Sequence, residues 1–155
     1  MPTYDKISLY NEPMLVITDL DDPNLCLIDL LREWCQGLQM PPTFVFRIAV
    51  TEIESWLLAD RERMAQWLGV SKARLPRTPE DVERPKECLV RIASRSRYRK
   101  IREAVVPATR STRSTGPGYN QYVSAFVTDL WNPETARVAA PSLDRAIKRI
   151  AELTH

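Results

Sequence analysis

A chain of 155 residues with 44% hydrophobic and 27% charged side chains has the composition of one folded globular domain. A net charge of +2 makes no global case for a nucleic-acid partner, and no apolar run approaches the roughly 20 residues that span a bilayer. The single histidine is the terminal His155, which excludes imidazole-based nucleophilic and zinc chemistry and leaves carboxylates, lysine, arginine, hydroxyls or a carboxylate-bound metal. Cys26, Cys35 and Cys88 form no C-x-x-C pair and read as buried thiols of a reducing compartment. With no signal pattern at the N-terminus, the expected location is the cytoplasm, without membrane contact.

Residues 14–18 are an apolar run with β-branched members, the profile of a strand buried on both faces; the acidic stretch Asp19-Leu20-Asp21-Asp22 follows it. Asp22-Pro23 then caps a helix whose stripe is Leu27, Leu31 and Trp34, stopped by Gly37 and Pro41-Pro42. Residues 44–50 read as a second strand. Strand, helix and strand over this length predict a right-handed βαβ unit with parallel strands. From Glu52 onward the pattern is helical: 52–59, 61–68 closed by Gly69, 85–94, 97–105, 119–131 and 142–153. Between two of these lies a Thr/Ser/Arg/Gly/Pro loop at 106–118, long enough to be either functional or disordered. Trp34, Trp56, Trp67 and Trp131 sit on apolar stripes and read as core. The expected fold class is α/β, a small parallel sheet with a mainly helical C-terminal half. It forms a single domain, with the sheet core at about 1–59 and the helical part at about 60–155.

In a βαβ unit the ends of both strands lie at the carboxyl edge of the sheet, where open α/β folds bind their ligands. Asp19 and Asp21 follow the first strand, and Glu52 and Glu54 follow the second. Like charges brought together there call for a cation, and oxygen-only ligands suit Mg2+ or Mn2+. The plainer reading is that these carboxylates face the positive ends of helices and point at water. Asp22, at a capping position, fits that plainer reading best.

Asp19-Leu20-Asp21 after one apolar strand and Glu52-Ile53-Glu54-Ser55-Trp56-Leu57-Leu58 after the next resemble the TOPRIM fold. More narrowly, they are similar to the TOPRIM half of OLD-family (overcoming lysogenization defect) nucleases. The ordered set Pro79-Glu80, Pro85-Lys86-Glu87, Gly116-Pro117-Gly118-Tyr119 and Ser142-Leu143 with Arg145-Ala146 resembles an uncharacterised bacterial TOPRIM-related family. The resemblance covers roughly residues 14–150. It implies that Asp19 and Asp21 hold Mg2+ or Mn2+, that Glu52 or Glu54 completes the site and handles a proton, and that Lys86 stabilises phosphate charge. It also implies a nuclease component of a bacterial phage-defence system. One departure stands out: no strand ending in a glutamate and a glycine turn precedes Asp19, and Glu12 lies before a strand. The isolated chain is therefore expected to bind metal yet cut plasmid DNA slowly or not at all.

Arg91, Arg95, Arg97, Arg99, Lys100, Arg102, Arg110 and Arg113 crowd one stretch, opposed there only by Glu103. With Ser111, Thr112, Ser114 and Thr115 nearby, they suit phosphate oxygens. The plainer reading is a solvated helix face and a mobile loop. Two functional readings remain open: a metal-dependent protein that binds nucleic acid and cleaves it, or a degenerate interaction subunit that docks on a larger ATPase.

Overall fold

The computed structural model describes residues 14–19, 44–49 and 53–153. Within them the chain runs β1 (Met14–Asp19), β2 (Phe44–Ala49), α1 (Glu54–Ala59), α2 (Arg61–Leu68), α3 (Pro85–Ala93) and α4 (Arg99–Val105). It continues through α5 (Tyr119–Asp129), α6 (Pro133–Ala136) and α7 (Pro141–Leu153), with 3-10 turns at Lys72–Arg74 and Pro79–Asp81. The helix predicted after Asp22-Pro23, with Cys26, Trp34 and Cys35, lies outside the described residues, as does His155.

Local chemistry explains where the helices start and stop. Proline opens α3, α6 and α7, where its missing N–H would have had no intrahelical partner. Asn132 caps α6 by accepting from the N–H groups of Glu134 and Thr135. Gly69 ends α2 in the left-handed region at φ 63°; its N–H reaches the Gln66 carbonyl, and the Val70 N–H reaches that of Ala65. A Cβ at Gly69 would sit 2.5 Å from the Tyr98 ring, so glycine also lets the segment before α4 approach closely.

The core is helical. Leu58, Met64, Leu68, Leu89, Val105 and Phe126 are fully buried in one cluster, with the Trp67 ring 4.9 Å from that of Phe126. A second cluster sets Trp56 against Leu143 and among Ala59, Ala136, Ala140 and Ala146, whose small side chains leave room for the indole. Three segments meet there: the Trp56 Nε1–H donates to Ser142 Oγ at 2.7 Å, and the Ser142 N–H donates to Glu80 Oε1 at 3.0 Å. Asp60 is completely buried between α1 and α2. It accepts from the Asn132 N–H at 2.9 Å and from the Arg63 guanidinium at 3.3 Å. A buried carboxylate needs such donors, and here they tie the α1–α2 corner to the start of α6.

This architecture corrects the α/β expectation. β1 and β2 pair in parallel, Met14 opposite Phe44 through Asp19 opposite Ala49, but as a two-strand ribbon. Among the described residues, both buried clusters consist of helical and turn residues, from Leu57 to Phe126 and from Trp56 to Ala146. The strand expected to be buried on both faces is not: Leu15 and Ile17, alternate residues on one face of β1, are each 41% exposed. A short apolar run reads alike whether a strand is covered on one face or two, so the pattern reports hydrophobicity without reporting layers.

Two further details differ from the sequence reading. α4 starts at Arg99, two residues later than predicted, because Ser96 and Tyr98 bond to each other across the bend before it. In α5, Phe126 is buried and Tyr122 half-buried, but Leu130 at the end of that stripe is 46% exposed.

Candidate functional site

Two groups of expected site residues fall within the described chain. The first surrounds Glu54, whose carboxylate is buried at the start of α1. Tyr119 Oη, at the first position of α5, donates to Glu54 Oε1 at 2.8 Å. Lys86 Nζ, one residue into α3, lies 3.6 Å from the same oxygen. The structure thus brings Glu54 and Lys86 together and adds Tyr119, which sequence reasoning did not assign to the site. The available signal was its position after Gly116-Pro117-Gly118, a phenol delivered at a helix start. A hydroxyl and an ammonium satisfy the buried carboxylate, so the trio reads first as a staple between α1, α3 and α5.

Asp19 ends β1, with its backbone opposite Ala49. Asp21 and Glu52 lie outside the described residues. Among the described residues no group of three or more histidine, cysteine, aspartate or glutamate side chains could hold a metal ion. With Glu54 committed to Tyr119 and Lys86, these residues do not fit Mg2+ or Mn2+ by themselves, and no metal-assisted step follows from them.

The second group is the basic stretch from Arg91 to Arg113. The loop at 106–118 folds back on α4: the Gly116 N–H donates to the Val105 carbonyl and the Gly118 N–H to that of Ala104, both at 2.9 Å. A Cβ on Gly116 would lie 2.4 Å from the Ala104 carbonyl oxygen, so only glycine admits this return. Ser111 makes a local turn, its N–H bonded to the Ala108 carbonyl and its Oγ accepting from the Arg113 N–H. The loop therefore carries Arg110 and Arg113 on a backbone that is hydrogen-bonded at both its tip and its base.

The cations of this stretch fall into distinct kinds. Arg102 is half-buried and donates to the Ser96 carbonyl, fixing the bend before α4. Arg99 pairs with Glu103 at 2.6 Å, and the hydrogen bond it donates to that carboxylate raises the guanidinium pKa further. Arg97 donates to Tyr98 Oη and lies 4.9 Å from the centre of that ring, a cation–π contact that keeps its charge. Arg91 reaches the Cys88 sulfur at 3.6 Å. Arg95, Lys100, Arg110 and Arg113 are exposed and make no ion pair among the described residues. No helix among the described residues is long and apolar enough to cross a membrane. Compared with protein-family models, curated proteins and solved structures, the chain matches none.

Proposed function

We propose that the protein binds the phosphate backbone of nucleic acid through the surface formed by residues 91–113. One observation carries this reading: of the cations on that stretch, only Arg99 meets a carboxylate among the described residues. A solvated structural surface gains nothing from one-sign charge held this close, because like charges repel; a polyanion removes that repulsion. Guanidinium groups take phosphate oxygens two at a time, and the exposed hydroxyls of Ser111, Thr112 and Ser114 add donors. Phosphate contacts carry no base information, so unrelated sequences should bind alike. The test is fluorescence anisotropy with two labelled oligonucleotides of unrelated sequence. Affinities within about threefold of each other, falling steeply between about 50 and 200 mM salt, are expected. A strong preference for one sequence, or an affinity indifferent to salt, would refute the reading.

A metal at Asp19 and Asp21, implied by the TOPRIM resemblance, has one observation in its favour. The parallel register sets Asp19 opposite Ala49, so the two strands that precede the acidic stretches in sequence end at the same edge of the ribbon. Mg2+ or Mn2+ bound there would stabilise the native state and raise the melting temperature by a few degrees at saturating metal. Asp19→Ala with Asp21→Ala should abolish that rise. Equal responses in parent and double variant would remove the metal and favour the interaction subunit that docks on an ATPase.

A further inference from the structure

Two shallow clefts, of about 380 and 340 Å3, meet on the exposed side of α3, where Glu87 and Arg91 border both. The smaller one is completed by the loop that follows α4. Its floor is Val90, Val106 and Pro107, buried or half-buried, and its rim carries the exposed side chains of Glu87, Arg91, Ser94, Arg113 and Ser114. Phosphate alone does not need such a floor, since its oxygens gain nothing from valine and proline. A group that suits both parts is amphipathic: an anion joined to an apolar or flat body.

The two ends of the trough differ in charge. In the larger cleft Arg84 is paired with Glu87 at 3.0 Å, and the exposed Glu83 carboxylate beside them repels a phosphate. The smaller cleft shares Glu87, already paired with Arg84, but there Arg113 makes no ion pair among the described residues, and Arg91 makes only its long contact to the Cys88 sulfur. An anion therefore belongs between Arg91 and Arg113. The cleft's volume lies at the lower end of the roughly 300–1,000 Å3 typical of small-ligand sites, room for one nucleotide and not for a duplex. Paired bases are stacked inside a helix, so only an unpaired nucleotide can lay its sugar and base on a protein surface.

We propose that this cleft is a subsite for one unpaired nucleotide of a bound strand. Its phosphate lies between Arg91 and Arg113, its sugar and base lie on Val90, Val106 and Pro107, and the protein prefers single-stranded to duplex nucleic acid. The inference rests on the backbone-binding reading above and assigns to that surface its class of strand. Gly116 and Gly118 make the site possible by holding the loop against α4, so that Arg113 stands on fixed backbone opposite α3.

The experiment uses the full chain and a labelled single-stranded oligonucleotide, displaced by three unlabelled competitors: the same strand, a duplex of equal phosphate number and inorganic polyphosphate. Covering part of a base and sugar with aliphatic side chains should make the single strand compete about fivefold better than either alternative. Arg91→Ala with Arg113→Ala, and separately Val106→Ser, should each bring that ratio to within about twofold of one. Val106→Ser changes no charge, so a lost preference there reports the apolar floor; melting curves confirm that each variant is folded. Equal competition by all three polyanions overturns the subsite and leaves backbone binding standing. A single-strand preference that survives both variants also overturns the subsite. Binding to none of the three removes the backbone-binding reading itself.

Discussion

Replacing Arg95, Lys100, Arg110 and Arg113 together by alanine should weaken nucleic-acid binding roughly thirtyfold, equally for unrelated sequences, without lowering the melting temperature. Each is exposed and outside any ion pair among the described residues, so its removal breaks no internal contact. An exposed charge contact of this kind contributes roughly two- to threefold, and four compound to that figure. The choice of residues matters. Arg97, Arg99 and Arg102 lie on the same stretch, but Arg102 holds the Ser96 carbonyl and Arg99 is already shared with Glu103. Removing Arg102 would disturb the bend before α4, so weaker binding by that variant would not separate recognition from folding. Anisotropy titrations paired with melting curves make the distinction. A four-residue variant that binds like the parent would leave this stretch as solvated surface.

Trp56→Ala should be the most damaging single change in the helical body. The indole is buried among the alanines of α6 and α7, its N–H donates to Ser142, and the Trp56 carbonyl accepts from the Trp131 indole at 3.2 Å. Truncating a buried tryptophan costs about 3–5 kcal/mol, from lost burial and the cavity left behind. For a chain of this size the melting temperature should fall by about 10 °C or more. Trp56→Phe separates two contributions, since it keeps a ring in place but removes the donor to Ser142, whose hydroxyl still has Glu80. That variant should lose about 1–2 kcal/mol, from one hydrogen bond and a smaller ring. Urea unfolding of both variants checks the order. A loss below about 1 kcal/mol for Trp56→Ala would mean that this cluster does not hold α1 to α7.

What could be read from the sequence was mostly what neighbours along the chain decide. Pro85 at the start of α3 and Gly69 at the end of α2 act within one turn, and both helices lie close to where the pattern placed them. Fold class depends on contacts between distant residues. The 14–18 run carries the hydrophobicity of a core strand, yet Leu15 and Ile17 are exposed, and the core is built from helices further on. Glu80 and Ser142 are 62 positions apart, and no local pattern announces their bond. Glu54 entered the candidate site through its place after the second strand, and Lys86 through a resemblance. Their contact shows them to be neighbours, and Tyr119 shows why the carboxylate tolerates burial. Within the basic stretch, the Arg99–Glu103 pair has the i, i+4 spacing that a helix brings together and was legible. The Arg102 contact to Ser96 depends on a bend with no sequence signature.

The most direct measurement is the salt dependence of affinity for a single-stranded oligonucleotide, compared between the parent and the variant lacking Arg95, Lys100, Arg110 and Arg113. Each phosphate neutralised on a single strand contributes about 0.7 to the slope of log affinity against log salt. If these four side chains sit on phosphates, the variant's slope should be shallower than the parent's by about three, whatever the base sequence. Equal slopes would contradict a backbone-binding surface at residues 91–113.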